Sequence, residues 1–402
     1  MKTSSFISKF RYNKIDILWI IFTTAARIAP LSAIPILITK ATNTEADLFV
    51  LIQTNAAIIS ILFGFSQSSF INKNYKKNNL PSIIILTYTT PVIFFLLTVI
   101  IVFLLASDYY FWLSTLILAL FTAYTPQSQA LLRCTRAYLR AVIADIIRIS
   151  FYAGAITYSY FKNELTPVFM VALLSFYYVT PALVMGIRKY STADFRSIFK
   201  SWESSATNMA ILTFSSLISI AAWMSIRYSL SHYGDKGELS IFSAIMSISS
   251  MLALMTDMMF IRVGQRIILA SRERKIDHLM SAAKTSISYL LLSTLATTLV
   301  SIIYVSVQFN ENSNHLFIAA ILIVFGYFVR GIYIFMQNIL LGIGISRFDL
   351  FGSTLMLLVS ITGGSWSVKH FGLVGAASVF AALPIIYLLI LLWGSVKFWR
   401  IK

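Results

Sequence analysis

Residues 82–106 read SIIILTYTTPVIFFLLTVIIVFLLA, a run without a single charged side chain. A helix of about 20 apolar residues crosses the roughly 30 Å hydrocarbon core of a bilayer. This run therefore predicts a membrane-spanning helix. Its apolar residues are continuous rather than alternating, which excludes the strand pattern of an outer-membrane barrel.

The rest of the chain repeats this pattern. Of its 402 residues, 58% are hydrophobic and 12% are charged, with a mean hydropathy of +0.80. Soluble domains carry roughly 25% charged residues, so lipid must be the solvent for most of this chain. We predict an all-α, polytopic membrane protein with about twelve transmembrane helices, at residues 16–38, 48–71, 82–106, 110–132, 141–161, 167–187, 206–230, 241–264, 285–307, 316–341, 350–368 and 373–395.

The basic residues predict the orientation. With the N-terminus in the cytoplasm, 23 of the 32 lysine and arginine residues fall in cytoplasmic segments, and four fall outside, at Lys40, Lys162, Lys236 and Lys369. Cytoplasmic loops are typically enriched in this way, so both termini are expected in the cytoplasm. The net charge of +17 then reflects topology and contact with anionic lipid heads, not nucleic acid.

Two long polar segments interrupt the helices. The segment 188–205 predicts a cytoplasmic linker between an N-terminal six-helix lobe, 1–187, and a C-terminal six-helix lobe, 206–402. Such a layout is common in transporters and predicts two lobes around a central cavity. The segment 265–284 mixes apolar and basic residues, which favours a helix on the inner membrane surface or a plain solvated connector.

Ionisable residues at membrane depth are the informative ones. Each costs about 2.5–3.5 kcal/mol at the centre of a helix on insertion scales, so each should face a cavity or a partner. These residues are Arg27, Asp145, Arg148, Arg227, Asp257, Arg262 and Arg330.

Arg27 and Arg330 lie deepest in their spans. Arg27 precedes Pro30, which permits a bend in the first helix. Arg330 shares a helical stripe with Tyr327, Tyr333 and Gln337, which stand at −3, +3 and +7 from it. All of these except Pro30 are candidate cavity-lining, substrate-binding residues, with structural pairing as the alternative for the two arginines.

The remaining charged residues leave alternatives open. Arg227 follows Trp223 by four residues, and both are candidate substrate-binding residues, although Arg227 could also extend to the interface. Asp145 and Arg148 stand at i and i+3 and can pair within one turn, yet each is also a site candidate, Asp145 for ion coupling and Arg148 for substrate.

Asp257 has no basic residue three or four positions away. It is therefore a candidate proton or sodium site, or the partner of an arginine on another helix. Apart from Asp16, at the very start of the first span, arginines in the spans outnumber carboxylates five to two. Because guanidinium groups bind phosphates through paired hydrogen bonds, this balance favours an anionic substrate. Apart from coupling to H⁺ or Na⁺, no cofactor is expected.

Signals for an enzyme are weak. The histidines are scattered in predicted loops without metal-ligand spacing, Cys134 is the single cysteine, and no phosphate-binding loop or serine elbow occurs. We expect neither a metal site nor catalytic residues.

Three stretches carry a family resemblance: ARIAP at 26–30, FGLVGAA at 371–377, and the polar, basic run from Gln127 to Arg140. On these and on its twelve spans with short outer loops, the chain resembles polysaccharide flippases of the O-antigen type, in the multidrug/oligosaccharidyl-lipid/polysaccharide exporter superfamily.

The resemblance implies a function. An undecaprenyl-pyrophosphate-linked oligosaccharide would move from the inner to the outer leaflet of the bacterial cytoplasmic (inner) membrane by alternating access. Arg27 and Arg330 would match cavity-lining cationic positions. Membrane lipids surround the protein, and a polysaccharide polymerase and a chain-length regulator of the same pathway are candidate partners. The rival functions are a multidrug or cation antiporter, a membrane-embedded glycan-processing enzyme, and an assembly subunit without transport.

Overall fold

A computed structural model describes residues 14–65, 71, 80–134, 137–185, 195–309, 314–343 and 347–400 of the chain. Every regular element in these ranges is helical, and no strand occurs among them. Each predicted span overlies helix along nearly all of its described residues. The prediction of an all-α protein is therefore confirmed.

The helices of the described residues coincide with the twelve predicted spans. In the first half the described residues form α1 (Lys14–Ile28), α2 (Ala33–Ile38), α3 (Asn43–Gly64), α4 (Leu80–Leu105), α5 (Tyr109–Cys134), α6 (Tyr138–Lys162) and α7 (Pro167–Met185). In the second half they form α8 (Phe195–Tyr233), α9 (Glu238–Ser249), α10 (Met251–Arg272), α11 (Ile276–Phe309), α12 (Asn314–Ile343) and α13 (Arg347–Arg400). The helices α1 and α2 share one predicted span, α9 and α10 share another, and α13 contains two.

Hydropathy agrees with a membrane protein. By length and composition alone, eight helical stretches of the described residues could cross a membrane, and the last, Leu350–Val396, contains two predicted spans. Three predicted spans lie outside these stretches and are nevertheless helical. They are less apolar because they hold polar residues, among them Gln129, Asp145 and Arg227.

The first span bends at Pro30. A 3-10 turn, Ala29–Ser32, separates α1 from α2 there. Pro30 has no backbone N–H, so the carbonyl of Ala26, four residues earlier, loses its usual helical donor. The buried hydroxyl of Tyr177, on α7, donates a hydrogen bond to that carbonyl instead. A side chain from another helix thus satisfies the backbone at the bend.

The helix α8 is longer than a bilayer is thick. Its 39 residues span about 58 Å at 1.5 Å per residue, against roughly 30 Å of hydrocarbon. Because α8 begins at Phe195, residues 195–205 of the predicted linker are helical. Residues 188–194 lie outside the described part of the chain.

The segment 265–284 contains no helix of its own. It comprises the end of α10, a turn at 273–275 and the start of α11. Neither the separate surface helix nor the plain connector is found. In the turn, Lys275 Nζ lies 2.6 Å from Glu273 Oε2, and this hydrogen bond lowers the pKa of the exposed Glu273 below its ordinary value.

Two carboxylates, Asp47 and Glu238, connect helix ends that lie far apart in the sequence. Asp47 accepts hydrogen bonds from the backbone N–H of Gly237 at 3.0 Å and of Ser240 at 2.8 Å, which caps the start of α9. Glu238 Oε1 accepts one at 3.3 Å from the N–H that follows Gly372. With φ of 53°, Gly372 breaks α13, so a side chain there would be strained, and its Cβ, 2.8 Å from Glu238 Oε1, would also displace that carboxylate.

The chain divides into two compact units. The first unit comprises residues 1–30, 59–164 and 168–213, and the second comprises 31–58, 165–167 and 214–402. The second unit therefore includes α2 and most of α3. The division into six-helix lobes at 188–205 and the central cavity stay predictions.

Hydroxyl groups in the helices have two uses. Many bond the carbonyl four residues earlier on their own helix, as Thr87 does with Ile83 at 2.6 Å. The same bond is made by Thr89, Thr98, Thr115, Thr180, Thr213, Thr256, Thr294, Thr298, Thr354 and Thr362. Others join helices, as in the contact between Ser249 and Ser301 at 3.2 Å.

Candidate substrate-binding clusters

Helices α1, α5 and α6 bring five polar residues together in the first unit. These residues, which we call the first arginine cluster, are Thr23, Arg27, Gln129, Asp145 and Arg148. Arg148 Nη2 lies 2.5 Å from Asp145 Oδ1, with side chains only 2% and 6% exposed. The Thr23 hydroxyl donates to Asp145 Oδ2 at 3.0 Å. The pairing predicted from the i, i+3 spacing is confirmed.

The first arginine cluster holds a second guanidinium. Arg27 Nη2 lies 3.5 Å from Gln129 Oε1, and Arg27 is close enough to Asp145 to interact with it electrostatically. The guanidinium carbon of Arg148 lies 4.9 Å from the centroid of the Tyr177 ring, which adds a cation–π contact. Among these five residues, two guanidiniums therefore accompany one carboxylate.

A corresponding set lies in the second unit, on α8, α10 and α12. We call it the second arginine cluster, and its members are Arg227, Asp257, Tyr327, Arg330 and Tyr333. Tyr327 is within electrostatic reach of both arginines. Here too, two guanidiniums accompany one carboxylate. The structure thus brings five of the predicted site residues together from three helices.

Arg227 is buried, and no counter-ion lies beside it in the described part of the chain. Its side chain donates to Thr54 Oγ1 at 3.1 Å and lies 3.8 Å from the sulfur of Met246. Its Nε is buried and makes no hydrogen bond, and within the described residues no carboxylate pairs with it. Because Arg227 is only 5% exposed, the interpretation that its side chain extends to the interface is wrong.

Arg330 and Asp257 form a loose pair. Arg330 Nη2 lies 3.5 Å from Asp257 Oδ1, and the side chains are 24% and 38% exposed. Arg330 also lies within electrostatic reach of Tyr333 on its own helix. The alternative that Asp257 pairs with an arginine on another helix is therefore confirmed.

Most predicted aromatic site residues are packed against other rings. The ring of Trp223 lies 4.8 Å from that of Phe380 and the ring of Tyr327 lies 5.2 Å from it, both edge-on. Tyr333 contacts Tyr387 at 4.6 Å in the same manner. Tyr327 and Tyr333 are less than one-tenth exposed, so their rings mainly support the cluster. Gln337, two turns after Arg330, is half-buried.

The described residues contain no cluster of side chains that could bind a metal ion. No group of three histidine, cysteine, aspartate or glutamate residues there could hold an ion. Both clusters contain guanidinium groups, which in proteins generally can bind anions through paired hydrogen bonds.

Comparisons with known proteins identify the architecture. No protein-family profile and no curated protein sequence matches the chain. Among solved structures, lipid II flippase MurJ in an inward closed conformation is similar at a TM-score of 0.62 and 17% identity, over 95% of this chain and 87% of that one. A MATE protein in the straight conformation gives 0.63 and 16%, over 96% and 94%. An outward-facing multidrug resistance MATE transporter of the MOP superfamily gives 0.61 and 13%, over all of both chains.

The chain has the fold of these transporters. With identities of 13–17%, the similarity extends over nearly the whole length and concerns the fold. The prediction is thus confirmed for the fold alone. MurJ and the MATE transporters match equally well, so these similarities do not distinguish one class of substrate from another.

Sequence reasoning missed the neutral partners of the arginines. Thr54 and Met246 hold Arg227, Gln129 contacts Arg27, and Tyr177 lies under Arg148. Each comes from another helix, so no spacing within a span indicates it. The one available signal was Pro30, which leaves a carbonyl in need of a donor such as Tyr177.

Proposed function

We propose that this protein is a flippase for a lipid-linked oligosaccharide whose carrier, such as undecaprenyl pyrophosphate, is anionic at the head group. It would move that head group from the inner to the outer leaflet of a bacterial cytoplasmic membrane by alternating access. The proposal is carried by Arg227, which is buried at membrane depth without a carboxylate among the described residues.

An uncompensated guanidinium in such a place is costly. Burying one charge without its partner costs about 3–5 kcal/mol in proteins. A hydroxyl and a thioether satisfy only part of its hydrogen-bonding capacity, since guanidinium has five donors and Nε remains unused. A phosphate oxygen would supply both the charge and the missing acceptor. This is the reason to expect an anion beside Arg227.

The charge balance of both clusters supports the same substrate class. Each holds two arginines and one aspartate. An organic cation would meet net repulsion at either cluster, whereas a pyrophosphate would be attracted to both. Because guanidinium binds phosphate with a matched geometry, arginine suits this task better than lysine.

The mechanism needs no bond chemistry. Arginines would hold the phosphates, the partly exposed Trp223 would border the sugars, and the polyprenyl tail would stay in lipid. Asp257 and Asp145 remain candidates for coupling to H⁺ or Na⁺. The proposed location is the inner membrane, with a polysaccharide polymerase and a chain-length regulator as proposed partners. The substrate would leave covalently unchanged, as expected for a non-enzyme.

The test is export by arginine variants in a strain that depends on this protein. Arg227→Ala, Arg330→Ala and Arg27→Ala should each lower surface polysaccharide at least about tenfold, the loss of one 1.4 kcal/mol contact. The lipid-linked precursor should accumulate on the inner face. Lysine at the same positions should restore part of the export, because it keeps the charge.

The matched control is Arg140→Ala, which removes an exposed arginine at the start of α6. It should export normally at equal membrane abundance. If all three cluster variants also export normally, the proposal is wrong.

The rival is a multidrug antiporter, favoured by the MATE similarity at a TM-score of 0.63. It predicts that cells expressing the protein resist cationic dyes and that Asp257→Asn abolishes this resistance. The flippase predicts no dye efflux above the level of an empty vector. Measuring ethidium efflux beside glycan export separates the two.

A further inference from the structure

The two aspartate–arginine pairs at membrane depth differ sharply. In the first arginine cluster, Asp145 and Arg148 approach to 2.5 Å and are almost fully buried. In the second, Asp257 and Arg330 stand 3.5 Å apart, and their side chains are 38% and 24% exposed. Ion pairs that share a hydrogen bond normally lie at about 2.7–2.9 Å. Asp257 and Arg330 therefore attract each other electrostatically without a close hydrogen bond, and other groups can reach them.

Asp257 is held by little else. Its carboxylate makes no hydrogen bond to another residue in the described part of the chain, whereas Asp145 also accepts one from Thr23. The Arg330 side chain is 24% exposed and also has Tyr333 within electrostatic reach, so solvent and the phenol would surround it if Asp257 moved away. Asp257 and Arg330 can thus separate without leaving either charge buried away from solvent.

We infer that Asp257 is a resident counter-ion that occupies Arg330 until an anionic head group displaces it, and that it thereby sets the affinity for substrate. This rests on the proposed function and deepens it at the same site. Among the described residues no carboxylate pairs with Arg227, so it would accept an anion without displacing a counter-ion. Within the second arginine cluster, Arg227 is the permanent anion contact and Arg330 the exchangeable one.

The exchange serves release as well as binding. A transporter gains nothing from a substrate that it binds tightly in every state, because only differential affinity shifts its conformational equilibrium. When the phosphate begins to leave Arg330, Asp257 can take its place, so the guanidinium is never left without an anion. This role differs from a proton or sodium site, since it requires no coupling ion.

The experiment measures the binding of inorganic pyrophosphate to the purified full-length protein in detergent by calorimetry. Asp257→Asn should tighten binding about tenfold, equal to 1.4 kcal/mol, because the competing charge is gone. Asp257→Glu should bind like the wild type. Asp277→Asn is the charge-matched control, since it removes an exposed carboxylate outside the cluster at the start of α11, and it should leave the affinity unchanged.

A double variant tests the route of the effect. If Asp257 acts by occupying Arg330, then Asp257→Asn should have no effect on affinity in the Arg330→Ala background. If Asp257→Asn does not purify as a folded protein, Asp257→Ser removes the same charge with a smaller side chain and carries the test.

The outcomes separate the two claims. If removing the carboxylate leaves the affinity unchanged or weakens it, while the arginine variants lose binding, the counter-ion role is overturned and the flippase proposal stands. If Arg227→Ala and Arg330→Ala bind pyrophosphate as the wild type does, the anion site itself is wrong and both claims fall.

Discussion

The cost of burial decides what each charged residue can do. Arg148 is 2% exposed and can be tolerated only with Asp145 beside it, so this pair fits a structural role. Arg227 is nearly as buried, but among the described residues it is hydrogen-bonded only to Thr54 and Met246, and the proposed flippase uses this charge to bind its ligand. Residues of one type in similar spans therefore serve different purposes because their partners differ.

A stability measurement distinguishes these roles at single residues. Asp145→Asn should destabilise the protein by about 3–5 kcal/mol, because it leaves Arg148 buried and uncompensated. Asp257→Asn should cost no more than about 1 kcal/mol, because its pair is loose and partly exposed. Unfolding in detergent, followed by tryptophan fluorescence, provides both values.

A rescue variant sharpens that comparison. Replacing Asp145 with Leu and Arg148 with Met together should recover most of the lost stability, since a buried pair can often be exchanged for apolar residues of similar volume. Equal destabilisation by Asp145→Asn and Asp257→Asn would contradict the assignment of the first pair to structure.

Among the elements, the bent first span shows how one helix depends on another. Pro30 removes the donor for the Ala26 carbonyl, and Tyr177 on α7 replaces it. An unsatisfied buried carbonyl costs about 1–3 kcal/mol, so the bend would be unfavourable without this tyrosine. The position of α1 is thus fixed by a hydroxyl from a helix far along the chain.

Removing that hydroxyl tests the dependence. Tyr177→Phe should lower the free energy of unfolding by about 1–3 kcal/mol, because the Ala26 carbonyl loses its replacement donor. Tyr178→Phe, one position later, is the matched control, because no hydrogen bond from its hydroxyl is present in the described structure. If the two variants melt together, the hydroxyl does not hold the bend.

The sequence predicts the elements better than the contacts between them. The twelve spans and the Asp145–Arg148 pair follow from periodicity and spacing, which are local properties of a helix. The contact of Arg330 with Asp257 and the burial of Arg227 depend on which faces of α3, α9 and α10 meet their helices. Spacing along one span holds no information about that, so Arg227 could also be interpreted as an interfacial residue.

For the whole molecule, charge predicts topology. Of 32 basic residues, 23 fall in segments assigned to the cytoplasm, while the few acids include Asp47 and Glu238, which cap helix ends on the side assigned as outer. Such an imbalance orients helices during insertion, because positively charged loops are retained inside.

Reporter fusions test the orientation. A fluorescent protein fused after Lys402 should fluoresce, and alkaline phosphatase fused there should be inactive, because the C-terminus is expected in the cytoplasm. Alkaline phosphatase inserted after Lys236, in the loop before α9, should be active instead. The reverse pattern would invert the direction of transport proposed for this protein.

The two uses of hydroxyl groups have a consequence for variation in this chain. The hydroxyl of a threonine such as Thr98 is hydrogen-bonded to its own helix, so mainly its methyl group is available for contacts with lipid. Replacing Thr98 with valine should therefore have almost no effect on stability or function. Ser249, which reaches across to Ser301, has no such tolerance. In a saturation mutagenesis scan, hydroxyl residues that bond their own helix should tolerate substitution, whereas those that bond another helix should not. The intolerant positions would therefore identify the contacts between helices without a structure.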